Sequence, residues 1–132
     1  MIGCFDSDVL IDYFDGIATA SEELSHYDRV LISRITWMEV LVGAPTDTLR
    51  QIREDFLRQF AVIELDEAVA REAIMLRQEY KLKLPDAIIR ASARLNNALL
   101  IKRNARDFDR GEPGIRIPYR LGRLPGSAVD LT

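Results

Sequence analysis

Short runs of β-branched and aliphatic residues recur along this chain with helix-patterned stretches between them. They are IGCFD at 2–6, RVLIS at 29–33, AVIEL at 61–65 and ALLI at 98–101, with IRI at 115–117 as a candidate fifth. Apolar runs this short, bounded by charge and turn residues, read as buried strands. Strands separated by helices pair through crossovers rather than hairpins, so the sheet is expected to be mainly parallel and the fold an α/β sandwich. In such sheets, sites form at the carboxyl ends of the strands. Asp6 at the end of the first strand and residues 102–109 after the fourth are therefore expected at one edge, although far apart in sequence.

The intervening helices carry their own boundary signals. VLIDYFDG ends at Gly16, a second short helix covers 19–26, and TWMEVLVG at 36–43 has Thr36 near its start and Gly43 at its end. A polar helix over 47–59 opens at Thr46 or Asp47. Asp66 caps a long helix to about residue 82, with Val69, Ala73, Leu76 and Tyr80 at helical spacing. Leu84-Pro85-Asp86 begins another, with proline in the favoured first turn and Leu84, Ile88, Ala91 and Leu95 as its apolar face. The domain is placed at 1–120, and 121–132 is read as a C-terminal tail. There is no internal repeat or low-complexity tract.

Several functions are excluded by composition. No apolar run approaches the roughly 20 residues that span a bilayer, and the start MIGCFDSDVLIDYFD lacks the basic end of a signal peptide. A cytoplasmic protein with no membrane association is expected. One cysteine, Cys4, and one histidine, His26, leave no internal disulfide and no ordinary structural zinc site. Cys4 is read as a small buried hydrophobe, and His26, in SEELSHYD, as solvated.

The net charge of −3 does not advertise a nucleic-acid partner, but it hides an asymmetry. Residues 1–28 hold seven acids and no Lys or Arg, whereas residues 98–132 hold seven Lys or Arg against four acids. Four acids stand out: Asp6, Glu39, Asp86 and Asp107. Convergent carboxylates suit a hard ion such as Mg²⁺, which keeps several waters and accepts phosphate oxygens. Each also has a plain structural reading. Asp6 can cap or turn the chain after the strand, and Asp8 can cap the next helix. Glu39 can point outward, although Trp37, Met38, Val40 and Leu41 around it suggest partial burial. Asp86 suits a helix N-terminus and stands four residues before Arg90, and Asp107 can pair with Arg103 or Arg106.

Four segments in order resemble the PIN-domain ribonucleases, and among them the VapC toxins. Asp6-Ser7-Asp8-Val9-Leu10-Ile11-Asp12 is similar to the family's D-T/S-N-V-L-I-D, and Ser33 to Val40 to its S-x-x-T/S-x-x-E segment. Leu84-Pro85-Asp86-Ala87-Ile88-Ile89-Arg90-Ala91 resembles the helix opening written around D-A-x-I-A-A, and Arg103-Asn104-Ala105-Arg106-Asp107-Phe108 the closing R-N-x-x-D-F. Each block alone is weak, but four in order are specific, and they span residues 2–118. The resemblance implies a PIN-like α/β/α sandwich with four to five strands. It implies an endoribonuclease using Mg²⁺ or Mn²⁺, with Asp6, Glu39, Asp86 and Asp107 as ligands and catalytic carboxylates. Asp8, Thr36 and Asn104 would support the site, and Arg103 and Arg106 would contact the RNA backbone.

Family chemistry implies 5′-phosphate and 3′-hydroxyl products, a VapB-like antitoxin that inserts a basic side chain among the carboxylates, and a homodimer. Tyr13, Phe14 and Trp37 either offer apolar surface to that antitoxin or fill the core, the latter favoured for Phe14 and Trp37. Two departures stand out. Asp8 replaces the usual Asn, and Lys102 stands where the family has a small hydroxyl residue before R-N. Lys102 is expected to point into solvent, the alternatives being a carboxylate or a phosphate partner. Two other functions fit part of the pattern. FDSDV has the D-x-D spacing of a haloacid-dehalogenase-like phosphatase, with Asp6 as nucleophile and Asp8 as acid. A PIN domain that binds RNA without cutting it is the other.

Overall fold

In a computed structural model, described for residues 1–104 and 112–121, five strands alternate with six helices. The strands are β1 (Ile2–Phe5), β2 (Arg29–Ser33), β3 (Ala61–Ile63), β4 (Leu99–Ile101) and β5 (Ile115–Arg116). The helices are α1 (Ser7–Phe14), α2 (Ala18–Ser25), α3 (Arg34–Val42), α4 (Asp47–Leu57), α5 (Glu67–Tyr80) and α6 (Leu84–Leu95). All strand pairings are parallel, in the order β3-β2-β1-β4-β5. This is the expected α/β sandwich with a parallel sheet. The tail from residue 122 lies outside the described residues, and no described helix is long and apolar enough to cross a membrane.

Alternation along the strands divides the core between the two faces of the sheet. Phe5, Ile32 and Ile101 pack with Val9 and Leu10 of α1, Ala20 of α2, Val40 and Leu41 of α3 and Leu57 of α4. Cys4, Leu31 and Leu100 turn the other way, onto Ile89 and Ala93 of α6. A further apolar seam joins α5 to α6 through Val69, Ala73, Leu76, Ala87, Ile88 and Ala91. Gly3 in β1 faces the Tyr27 ring so closely that an added Cβ would sit 2.9 Å from its Cδ1.

Two helix readings shift. Helix α3 starts at Arg34, not near Thr36: the Ser33 side chain caps it by accepting the Ile35 N–H at 3.1 Å, and Thr36 is fully buried. In α6, Leu84 and Leu95 are a little under half exposed, and residues 87 to 93 are buried all round. Arg90 belongs to that buried stretch. It pairs with Glu112 at 2.9 Å and lies over the Tyr80 ring. The expected capping by Thr46 and Asp66 is observed, at Leu49 and Val69 N–H respectively. Cys4 is buried and His26 exposed, as expected. Tyr13, Phe14 and Phe56 form an aromatic cluster against the first core, and Trp37 packs there too.

Candidate metal centre

Parallel strands deliver their carboxyl ends to one edge, and the site residues follow from that. Asp6 comes directly after β1, Lys102 to Asn104 directly after β4, and Glu39 rides on α3, which leaves β2 without a linker. Asp86 enters from the first turn of α6. Together Asp6, Ser7, Asp8, Glu39, Lys83, Asp86, Lys102, Arg103 and Asn104 line one cavity of about 250 Å³. Sequence-distant Asp6, Glu39 and Asp86 are thus brought together. Asp107 and Arg106 lie outside the described residues. A larger cavity of about 380 Å³, between Arg90, Arg94 and Glu112, lacks this convergence of acids.

Each acid is held differently. Asp6 caps α1, its Oδ1 accepting the Ser7 N–H at 2.8 Å, while its Oδ2 accepts from the Lys102 ammonium at 3.1 Å. Both side chains are buried. Lys102 therefore does not point into solvent. A buried ammonium requires an anionic partner, and the turn after β4 sets it beside Asp6. Burial alone would lower the Lys102 pKa, but Asp6 and Asp8 outweigh it and raise it. The lysine is thereby held as a cation.

Glu39 accepts the Ser7 hydroxyl on Oε1 at 2.9 Å, and Oε2 has no hydrogen bond among the described residues. Its carboxyl pKa is raised, first by burial and then by Asp6 and Asp86, against the Ser7 hydrogen bond. Asp8 accepts the backbone N–H groups of Arg103 at 3.1 Å and Asn104 at 2.8 Å, so it fastens the β4 turn onto α1. Burial, then Asp6, push its pKa up to about 6 against those amides and Lys102. Asp8 Oδ1 and Thr36 Oγ1 are buried with no hydrogen-bond partner among the described residues.

Arg103 is clamped rather than free. Its Nε and Nη2 donate to Asp12 at 2.6 and 3.2 Å, and the Tyr119 hydroxyl donates to the same carboxylate at 2.7 Å. Sequence reading missed Asp12, Ser7 and Lys83 as parts of this region. Asp12 alone left a signal, an acid four residues after Asp8 on a helix otherwise apolar there.

The donor set fits a hard divalent ion: Asp6, Glu39 and Asp86 border one polar cavity, and Asp8 adds an orphaned buried oxygen. Among the described residues, however, no three acids, histidines or cysteines are already drawn together tightly enough to grip an ion. The Lys102 ammonium sits on Asp6 as a compensating charge.

The fold is thus a parallel sheet with Asp6, Glu39 and Asp86 gathered around one cavity at its carboxyl edge. The PIN-domain model matches residues 4–112, so the chain belongs to the PIN-domain family. Among solved structures, a chain of a toxin–antitoxin complex from Klebsiella pneumoniae is 44% identical, with TM-score 0.84, covering 89% of this chain and 98% of that one. VapBC from Salmonella typhimurium, solved bound to DNA, is similar at 23% identity and TM-score 0.70, over 88% of this chain and 96% of that one. VapBC2 from Rickettsia felis, bound to a promoter DNA fragment, gives 22% and 0.69, over 87% and 96%. At those lower identities the likeness is one of fold. No curated protein sequence gives a significant match. Family membership decides against the haloacid-dehalogenase-like reading.

Proposed function

We propose that this chain is a metal-dependent endoribonuclease, the toxin of a VapBC-type pair, which hydrolyses RNA phosphodiester bonds. The observation that carries the reading is the meeting of Asp6, Glu39 and Asp86, from three separate elements, at one cavity on the carboxyl edge of the sheet. The 44% identity to a chain of a toxin–antitoxin complex supports the biological setting. Asp6, Asp86 and Glu39, with Asp107, would hold Mg²⁺ or Mn²⁺. Such an ion supplies charge neutralisation at phosphorus and a more acidic bound water.

The chain's own residues do the positioning. Ser7 fixes the Glu39 carboxylate through Oε1, which leaves Oε2 to accept a hydrogen bond from the attacking water. Asp8 sets the turn carrying Asn104, and Thr36, one turn before Glu39, supports α3 from inside. Arg106 and the clamped Arg103 add positive charge for the RNA backbone, so binding weakens as salt rises. A VapB-like antitoxin and a homodimer are the proposed partners.

The test is to incubate the isolated protein with total RNA and Mg²⁺ and map the cut ends. Discrete cleavage with 5′-phosphate ends is expected, abolished by EDTA and by Asp86→Asn. Unaltered RNA affinity without cutting would instead favour a binding module.

A further inference from the structure

The two oxygens of Asp6 are not equivalent. Oδ1 is occupied by the Ser7 N–H, a bond that caps α1 and would be lost only by disturbing the helix start. Oδ2 accepts from the Lys102 ammonium at 3.1 Å. Lys102 is 7% exposed and Asp6 6%. Lysine is almost never this buried unless paired. A divalent ion would approach a carboxylate oxygen to about 2.0–2.1 Å. At Oδ2 it would meet a cation already in place, within a cavity that screens like charges poorly.

We propose that Lys102 is an internal counter-ion that a divalent cation must displace from Asp6 before the site fills. This rests on the metal-dependent reading above and adds a threshold to it. With the ammonium in place, the charge of Asp6 is balanced and the acids around the cavity stay apart. The lysine stem is flexible and its head group strongly hydrated, so the ammonium can swing out of the pair toward open cavity. Cation affinity is then the difference between two competing charges at one oxygen. Lys102 lowers that affinity and in return keeps the metal-free fold from holding an unbalanced buried carboxylate.

The experiment is calorimetric titration of the full chain, freed of metal, with Mn²⁺ and with Mg²⁺. Lys102→Met keeps the stem and removes the charge, and Lys102→Ser removes both. Both variants are expected to bind about tenfold or more tightly than the parent, in line with the effect of one neighbouring charge on a carboxylate. In metal-free buffer both should melt below the parent and recover with Mg²⁺ by a larger shift. A second measurement needs no variant. The chain has three lysines, Lys81, Lys83 and Lys102. In isotope-labelled parent protein, the Lys102 side-chain resonance is expected to move in step with Mg²⁺ binding. Equal or weaker binding by the folded variants, or a Lys102 resonance unmoved at saturating Mg²⁺, would overturn the counter-ion role while leaving the metal site standing. Failure of parent and folded variants alike to bind either ion would overturn the metal-site reading itself and the inference with it.

Discussion

Gly3 leaves no room for a side chain. Its neighbour Tyr27 cannot retreat, because the ring stacks edge-on against Phe5 and its hydroxyl donates to buried Glu23 at 2.6 Å. Gly3→Ala should therefore cost about 1–3 kcal/mol of stability, as overpacking in a rigid core does. A urea unfolding midpoint well below that of the parent would show it, and an unchanged midpoint would mean the ring has freedom to move. The lesson of Lys102 sits at the same scale. In linear sequence it is one charged residue among several, and nothing local marks it as buried. Its partner lies 96 residues away. Asp6, Glu39 and Asp86 were legible through the order of the four segments that resemble the PIN-domain family, since each acid alone has a plain structural reading. The role of Lys102 was not, and Asp12 left only a faint signal, because both act by pairing across elements.

Helix α1 does more at the element scale than its eight residues suggest. Asp6 caps it, Asp8 holds the backbone of the β4 turn, and Asp12 grips Arg103 and Tyr119. Asp12→Asn preserves shape but replaces charge-assisted bonds with neutral ones, and an expected loss of about 1–3 kcal/mol follows. Thermal melting of the variant checks it, and a melting temperature equal to the parent's would refute the clamp. The strands were readable because β-branched runs of this length have few alternatives. The start of α3 was misplaced because Ser33, formally the last strand residue, serves as its cap. The burial of α6 on all sides was hidden by Arg90, whose charge suggests an outward face although Glu112 and Tyr80 receive it.

Across the whole molecule, the charge asymmetry of the sequence becomes structure. Among the described residues, the acidic first segment and the basic last one meet in three ion pairs: Asp6 with Lys102, Asp12 with Arg103, and Glu23 with Arg116. Burial resists ionisation of Glu23, but the hydrogen bonds from Arg116 and Tyr27 outweigh it, so its carboxyl pKa lies below the ordinary value. A depressed carboxyl pKa adds stability above the unfolded value, near 4.5, and that stability disappears as pH falls through the folded value. The stability of the metal-free protein should thus drop on acidification below about pH 4.5, and Glu23→Gln should flatten part of that limb. Acid titration followed by circular dichroism measures both, and superimposable acid limbs would exclude Glu23 as a contributor. Which strands neighbour one another could not be read from sequence, because parallel pairing is decided by the crossovers. The strand order has a consequence for biosynthesis. The first strand made is the central one, and one of its two neighbours emerges from the ribosome about ninety residues later. A nascent chain halted before that point already carries Asp6, Glu39 and Asp86 but not Lys102, so the cavity's acids are made well before the cation that balances Asp6.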